Sequence, residues 1–304
     1  MDGVNMGKMK FLIAGLPESG KSTFIGALWT IVRKANPNLS VSLKAVENEL
    51  PEQLEYLKKI SQSWQKVEDI DRTAEDVPED ILIKLVTHDT KSEIILDFPD
   101  FKGESFRSII SKSQPQQLDE WCQKSDILLY FMSDLSIGSF YDDFEDYKND
   151  TKENQDKFKG GEQIKPSQMT PAAQNMLILR YLKEHYSFKK VVICLTQWDE
   201  YVKYDTPEAN SESPEKILKQ NAPVLYNFIT YHYPNAQFCG ISSQGAAYQY
   251  EKPVGNDKKP LVKKVTDACK KELKRRYRQG KRAYICWDKQ LSFDITLLFS
   301  KILG

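Results

Sequence analysis

The run from Phe11 to Phe24 constrains this chain more than any other stretch. It reads as an apolar segment, then Gly15-Leu16-Pro17-Glu18-Ser19-Gly20-Lys21-Ser22, then an apolar-periodic segment. β-type residues before the loop predict a strand, and Phe24, Leu28, Ile31 and Val32 at helical spacing predict a helix after it. The loop fits G-x-x-x-x-G-K-[ST]. Gly15 and Gly20 permit torsions that turn successive N–H groups inward to cradle an anion, with Pro17, Glu18 and Ser19 forming the turn between them. Lys21 is placed to reach the β/γ-phosphates of a nucleotide and the Ser22 hydroxyl to ligate Mg²⁺, with Thr23 following. The helix that opens at Lys21 adds the positive end of its dipole beneath the phosphates.

Strand and helix signals alternate after this. Leu39 to Val46 reads as a strand or a loop, and Leu50, Leu54, Leu57, Ile60 and Trp64 predict a helix over Glu49 to Lys66. Val67 to Glu79 is polar and predicts a loop. Ile81 to Thr87 and Glu93 to Phe98 are strand candidates whose connection is too short for a parallel crossover, so they predict an antiparallel hairpin. The apolar runs Asp126 to Ser133, Lys190 to Thr196 and Gln237 to Ile241 predict strands buried on both faces. Thr170-Pro171 opens a helix running to about His185, and a second helix is expected from Pro214 to Tyr231. Leu291 to Ile302 is expected to be helical. The whole predicts a three-layer α/β fold, a mostly parallel sheet with one antiparallel strand, in a single domain over 1–304. Two insertions interrupt it: a polar one over about 134–168 and a basic one over about 248–284.

Four further elements stand at strand ends. Asp97 closes one strand, and Asp100-Phe101-Lys102-Gly103 follows as D-x-x-G. In Ras-like GTPases that aspartate serves Mg²⁺ and the glycine N–H touches the γ-phosphate. Asp100 is favoured over Asp97 because Gly103 and Glu104 then fall where those proteins place their glycine and water-orienting glutamine. A carboxylate at 104 can order water but also repels a γ-phosphate, so slow or partner-dependent hydrolysis is expected. Arg72-Thr73 precedes the hairpin, where Ras-like proteins carry a Mg²⁺-binding threonine, and Arg72 is a candidate arginine finger in cis. Thr196-Gln197-Trp198-Asp199 resembles the [NT]-K-x-D base-reading motif. Asp199 is the candidate acceptor for guanine N1 and N2, and Gln197 in place of lysine gives less apolar cover over the base. Ser242-Ser243-Gln244 lies where GTPases carry the S-A-K loop that faces guanine O6.

The phosphate loop with Ala27-Leu28-Trp29 after it, Arg72-Thr73, Pro99 to Phe106, Gln197-Trp198-Asp199 and Ser243-Gln244-Gly245 together resemble the bacterial double-GTPase family of TRAFAC-class proteins. The resemblance spans most of the chain but is thin over 134–168 and 248–284. It implies GTP and GDP as ligands, Mg²⁺ as cofactor, a companion GTPase or other protein effector as partner, and a place in bacterial conflict or defence systems. Two other readings stay open on the residues: a catalytically weak pseudo-GTPase scaffold, because of Glu104, and an ATP-using P-loop enzyme, because of Gln197.

Composition narrows the partners. The formal net charge is zero over 304 residues, so no global field points to nucleic acid or membrane. The basic stretch Lys258 to Arg282 reads as a solvated helix face, with nucleic-acid contact not favoured. The five cysteines are odd in number and dispersed, and Cys194 and Cys239 fall in strand-like runs as buried thiols. No run of about 18 apolar residues occurs, so a membrane span is not expected and a cytoplasmic location is. Trp29, Trp64, Trp121, Trp198 and Trp287 read as packing residues, Trp198 with an option to edge against the base.

Overall fold

The computed structural model describes residues 9–34, 36–46, 51, 53–70, 81–87, 93–98, 116–133, 135, 169–201, 212–251 and 264–303. The strands are β1 (Met9–Gly15), β2 (Leu43–Ala45), β3 (Ile81–Thr87), β4 (Glu93–Phe98), β5 (Ile127–Met132), β6 (Lys190–Thr196), β7 (Gln237–Ser242), β8 (Tyr284–Trp287) and β9 (Gln290–Ser292). The helices are α1 (Lys21–Arg33), α2 (Leu54–Lys66), α3 (Gln116–Lys124), α4 (Pro171–His185), α5 (Pro214–Asn221), α6 (Pro223–His232), α7 (Asp267–Arg278) and α8 (Leu297–Leu303).

The strands form one sheet in the order β2-β3-β4-β1-β5-β6-β7-β8-β9. Its centre, β4-β1-β5-β6-β7, is parallel, and β3 pairs antiparallel with β4 as the short connection predicts. Alternation along β1 assigns the layers. Phe11 and Ile13 pack with α1, α2 and α8, whereas Leu12 and Ala14 pack with α3 to α6 on the other face. Both faces are covered, which is why the central strands read as unbroken apolar runs. Phe299 of α8 meets Phe11 edge-on at 5.4 Å, so the C-terminal helix closes the α1 layer.

Three expectations change at the element level. The predicted helix over Pro214 to Tyr231 is two helices, because Pro223 lacks an N–H and disfavours helical torsions at Ala222, which takes φ −139°. The predicted strand near 39–46 is only the three residues of β2, antiparallel to β3. The predicted helix from Leu291 is instead an edge strand, β9, followed by the short α8. β8 and β9 form an antiparallel hairpin on β7, turning at Asp288, which adopts φ 59°. Asp294 breaks the helical reading: its carboxylate accepts from the Ser42 N–H and hydroxyl at 2.8 and 2.7 Å, and from the Thr296 N–H at 2.9 Å. The helix therefore starts only at Leu297.

Thr170 caps α4, its Oγ1 accepting from the Ala173 N–H at 3.2 Å, a contact that stabilises a helix start by about 1 kcal/mol. α2 packs tightly on α1: a Cβ at Gly26 would lie 2.9 Å from the Ile60 carbonyl, and the Thr30 and Ser61 hydroxyls meet at 2.7 Å. All five cysteines are buried free thiols. Apart from Leu135, the polar insertion expected over about 134–168 lies outside the described residues.

Candidate functional site

The C-terminal ends of β1, β6 and β7 point to the same edge of the sheet, where ligands of open α/β sheets bind. The loop after β1 wraps the N-terminus of α1. Gly15 (φ 148°), Glu18 (φ 63°) and Gly20 (φ 80°) give it its curvature, and a Cβ at Gly15 would stand 2.2 Å from the Phe131 carbonyl. Lys21 is buried and its Nζ donates to the Gly15 carbonyl (2.9 Å), the Leu16 carbonyl (2.7 Å) and Ser19 Oγ (3.2 Å). The ammonium thus sits in the bowl of the loop. Thr196 Oγ1 lies 3.0 Å from both the Ser19 and Met132 carbonyls, tying the loop to the end of β6.

A cavity of about 600 Å³ opens from this loop across the sheet edge. Glu18, Gly20, Ser22 and Thr23 line one end. Thr196, which abuts Gly20, continues the wall, and Gln197, Asp199, Ser243 and Gln244 complete it, so the two sequence motifs face one space. Pro17 and Ser19 turn toward a separate cavity of about 150 Å³ bounded by Met132, Ser133 and Gln174. Asp97 is buried in register with Leu12, back from the larger cavity's wall. Arg72, Thr73, Asp100, Gly103 and Glu104 lie outside the described residues.

Asp199 owes its direction to a short turn. Gln197 takes the left-handed conformation (φ 55°) and Trp198–Glu200 forms one 3₁₀ turn, aiming the carboxylate back at the end of β7. The Ser242 hydroxyl donates to Asp199 Oδ1 and in turn accepts the Gly245 N–H at 3.0 Å. Ser242 is fully buried, so it orients Asp199 from behind the wall. Burial pushes the Asp199 carboxyl above the usual carboxylate range, with the Ser242 bond and the charge of Arg276 pulling the other way. Trp198 does not edge against the cavity. It is fully buried over the backbone of β7, where a Cβ at Gly240 would lie 2.3 Å from its ring.

Sequence reasoning missed the bracing behind this loop. Arg282, read as part of a solvated basic face, is 1% exposed. Its guanidinium stacks on Trp64 at 4.0 Å, and its Nε donates to the Gln244 carbonyl at 3.3 Å. The Trp64 indole donates to the Ser243 carbonyl at 2.7 Å, and Arg276 Nη1 to the Gly245 carbonyl at 3.0 Å. Three donors from α2, α7 and the residue pair before β8 therefore hold three successive loop carbonyls. Asp69, Ile70 and Tyr250, also unforeseen, complete the cavity wall. No spacing signal marks any of these, since the partners lie 31 to 181 residues apart along the chain.

Fold and phosphate loop together define a P-loop nucleotide-binding protein. The chain belongs to the Double-GTPase 1 family, whose sequence model matches residues 12–302, and by family it is a GTP-binding protein of the GTPase class. No curated protein matches the sequence. Among solved structures it is similar to a bacterial selenocysteine-specific elongation factor, EF-Sec, with 12% identity over 78% of this chain and 26% of that one, at a TM-score of 0.34. It is similar to the S. cerevisiae Ski7 GTPase-like domain bound to GDP and inorganic phosphate, with 14% identity, 78% of this chain, 43% of that one and a TM-score of 0.38. A third is the signal recognition particle receptor SRb-GTP/SRX complex from Chaetomium thermophilum, with 11% identity, 79% and 93% coverage and a TM-score of 0.37. The chain thus spans about a quarter of the first and under half of the second. Among the described residues no helix is long and apolar enough to cross a membrane.

Proposed function

We propose that this chain is a single-domain molecular switch that binds GTP with Mg²⁺ and hydrolyses it slowly. The observation that carries the reading is the shared cavity: the phosphate loop lines it together with Asp199 and the braced Ser243-Gln244 loop. Lys21, already held at the loop's concave side, offsets charge on the β/γ-phosphates. Asp199 accepts from guanine N1 and N2, and the loop N–H groups of Ser242 to Gln244 face O6. The Ser22 hydroxyl, on the cavity wall at the start of α1, is a hard oxygen donor of the kind Mg²⁺ takes, and Thr73 with Asp100 (or Asp97) completes the set in this reading. When bound, Mg²⁺ neutralises charge on the β- and γ-phosphates. Water attacks the γ-phosphate in line, with Glu104 ordering it and Arg72 offsetting developing charge.

The loops carrying Arg72-Thr73 and Asp100 to Phe106 are the segments whose ordering by the γ-phosphate signals the bound state. A companion GTPase or another effector is the reader of that signal, in a cytoplasmic bacterial defence context. Thermal-shift and titration measurements with GTP, GDP and ATP, each with Mg²⁺, test the reading. GTP and GDP should stabilise the protein and ATP should not. Equal response to ATP sinks the guanine assignment, and GTP binding with no phosphate release leaves a scaffold rather than an enzyme.

A further inference from the structure

Two walls of the cavity come from the phosphate loop and the base motifs. The third wall is built by Asp69 and Ile70, at the exit from α2, and by Tyr250 beyond the base loop. The Tyr250 hydroxyl donates to Asp69 Oδ1 at 2.8 Å, joining two segments 181 residues apart. Its backbone is fixed as well. Tyr250 bridges antiparallel to Val265, flanked by Glu251 N–H to Lys264 O and Thr266 N–H to Gln249 O, both 2.8 Å. Tyr248 meets the ring edge-on at 6.5 Å, and its own hydroxyl takes a bond from Arg282 at 3.2 Å.

Tyr250 is therefore anchored at both its main chain and its hydroxyl, yet its residue stays 39% exposed on the cavity wall. A ring held in this way loses little freedom when a flat ligand packs on it. The same cavity has a deficit at Gln197. Gln197 stands where a lysine stem would cover the base, and its own stem is shorter.

We infer that Tyr250, with Ile70 beside it, is the base-packing wall of the nucleotide site, and that Asp69 is the positioning residue that holds the ring. The inference rests on the reading of the cavity as a guanine-nucleotide site. Every purine presents an apolar face, so this wall supplies affinity without choosing the base. The choice stays with Asp199, whose carboxylate reads the edge.

Titration calorimetry of the full chain with GTP, ATP and inorganic tripolyphosphate, all with Mg²⁺, tests this. Tyr250→Ala should weaken GTP by about 5- to 150-fold, the range of one base–aromatic contact, and weaken any residual ATP binding by the same factor. Tripolyphosphate affinity should not move, which also shows that the variant is folded. Tyr250→Phe keeps the ring but loses the bond to Asp69, so it should weaken GTP by the same partial factor as Asp69→Ala. Asp69→Ala should weaken GTP partially, and Asp69→Asn, which keeps an oxygen acceptor, should restore it. A Tyr250→Ala variant that binds GTP like wild type, or that loses tripolyphosphate equally, overturns the inference alone. A wild-type protein that binds GTP no better than tripolyphosphate overturns the guanine reading and this inference with it.

Discussion

The indole N–H of Trp64 donates to the carbonyl of Ser243 at 2.7 Å, so a helix that precedes the hairpin strands holds the loop that follows β7. Arg282 stacks on the same indole at 4.0 Å and bonds the next carbonyl, Gln244. The base loop is thus shaped by donors from outside it, and its conformation depends on how α2 is seated.

Trp64→Phe removes the N–H together with the rest of the five-membered ring and part of the surface on which Arg282 stacks. The Ser243 carbonyl then loses its donor, which should cost about 1–3 kcal/mol of stability by urea unfolding. GTP affinity should fall while tripolyphosphate affinity holds, because the phosphate loop is untouched. Arg282→Lys should act in the same direction, since an ammonium keeps the charge but loses the planar stack and the fork of donors. A loss of both ligands in equal measure would show that α2 supports the whole site rather than its base end.

Gly240→Ala probes the other support. The added Cβ would lie 2.3 Å from the Trp198 ring, which has no space to retreat in a fully buried site. Overpacking of this kind costs about 1–3 kcal/mol. Because Trp198 precedes Asp199 in the same 3₁₀ turn, the GTP preference over ATP should shrink as well. Side-by-side titrations of the two nucleotides measure it.

How far the sequence was legible follows from how local each signal is. The phosphate loop, the caps at Thr170 and the buried strands β5, β6 and β7 declare themselves through residue types at short fixed spacings. Leu291, Ile295, Leu298 and Ile302 also sit at helical spacing, yet Asp294 is bonded to Ser42, 252 residues away, and the chain turns instead. Arg282 has the composition of a solvated face and is buried under a tryptophan from another layer. Tyr250 belongs to no motif at all. The phosphate-loop motif was readable, and the packing that braces the Ser243 to Gly245 loop was not, because it is made by tertiary partners.

The Asp199 carboxyl makes the site sensitive to pH. Its folded-state pKa is raised by burial above the ordinary carboxylate value of about 4. Its contribution to the stability of the nucleotide-free fold is therefore full below the unfolded value and is lost as pH rises through the raised one. Guanine N–H donors need the ionised form, so binding releases a proton within that window. GTP affinity should climb as pH rises through the raised value and then level off, and Asp199→Asn should flatten the climb. Calorimetry in two buffers of different ionisation enthalpy reads the proton directly, and no release from the wild-type protein in that window would contradict the role given to Asp199.

In the proposed function Asp199 reads the guanine edge in a cavity that the phosphate loop also lines. The most direct measurement is the affinity of wild type and Asp199→Asn for GTP and xanthosine triphosphate with Mg²⁺, with Lys21→Ala as the variant that should bind neither. The amide of the variant donates where the carboxylate accepts, so GTP should weaken sharply and xanthosine triphosphate should gain. Unchanged GTP affinity in Asp199→Asn would mean that Asp199 does not read the base.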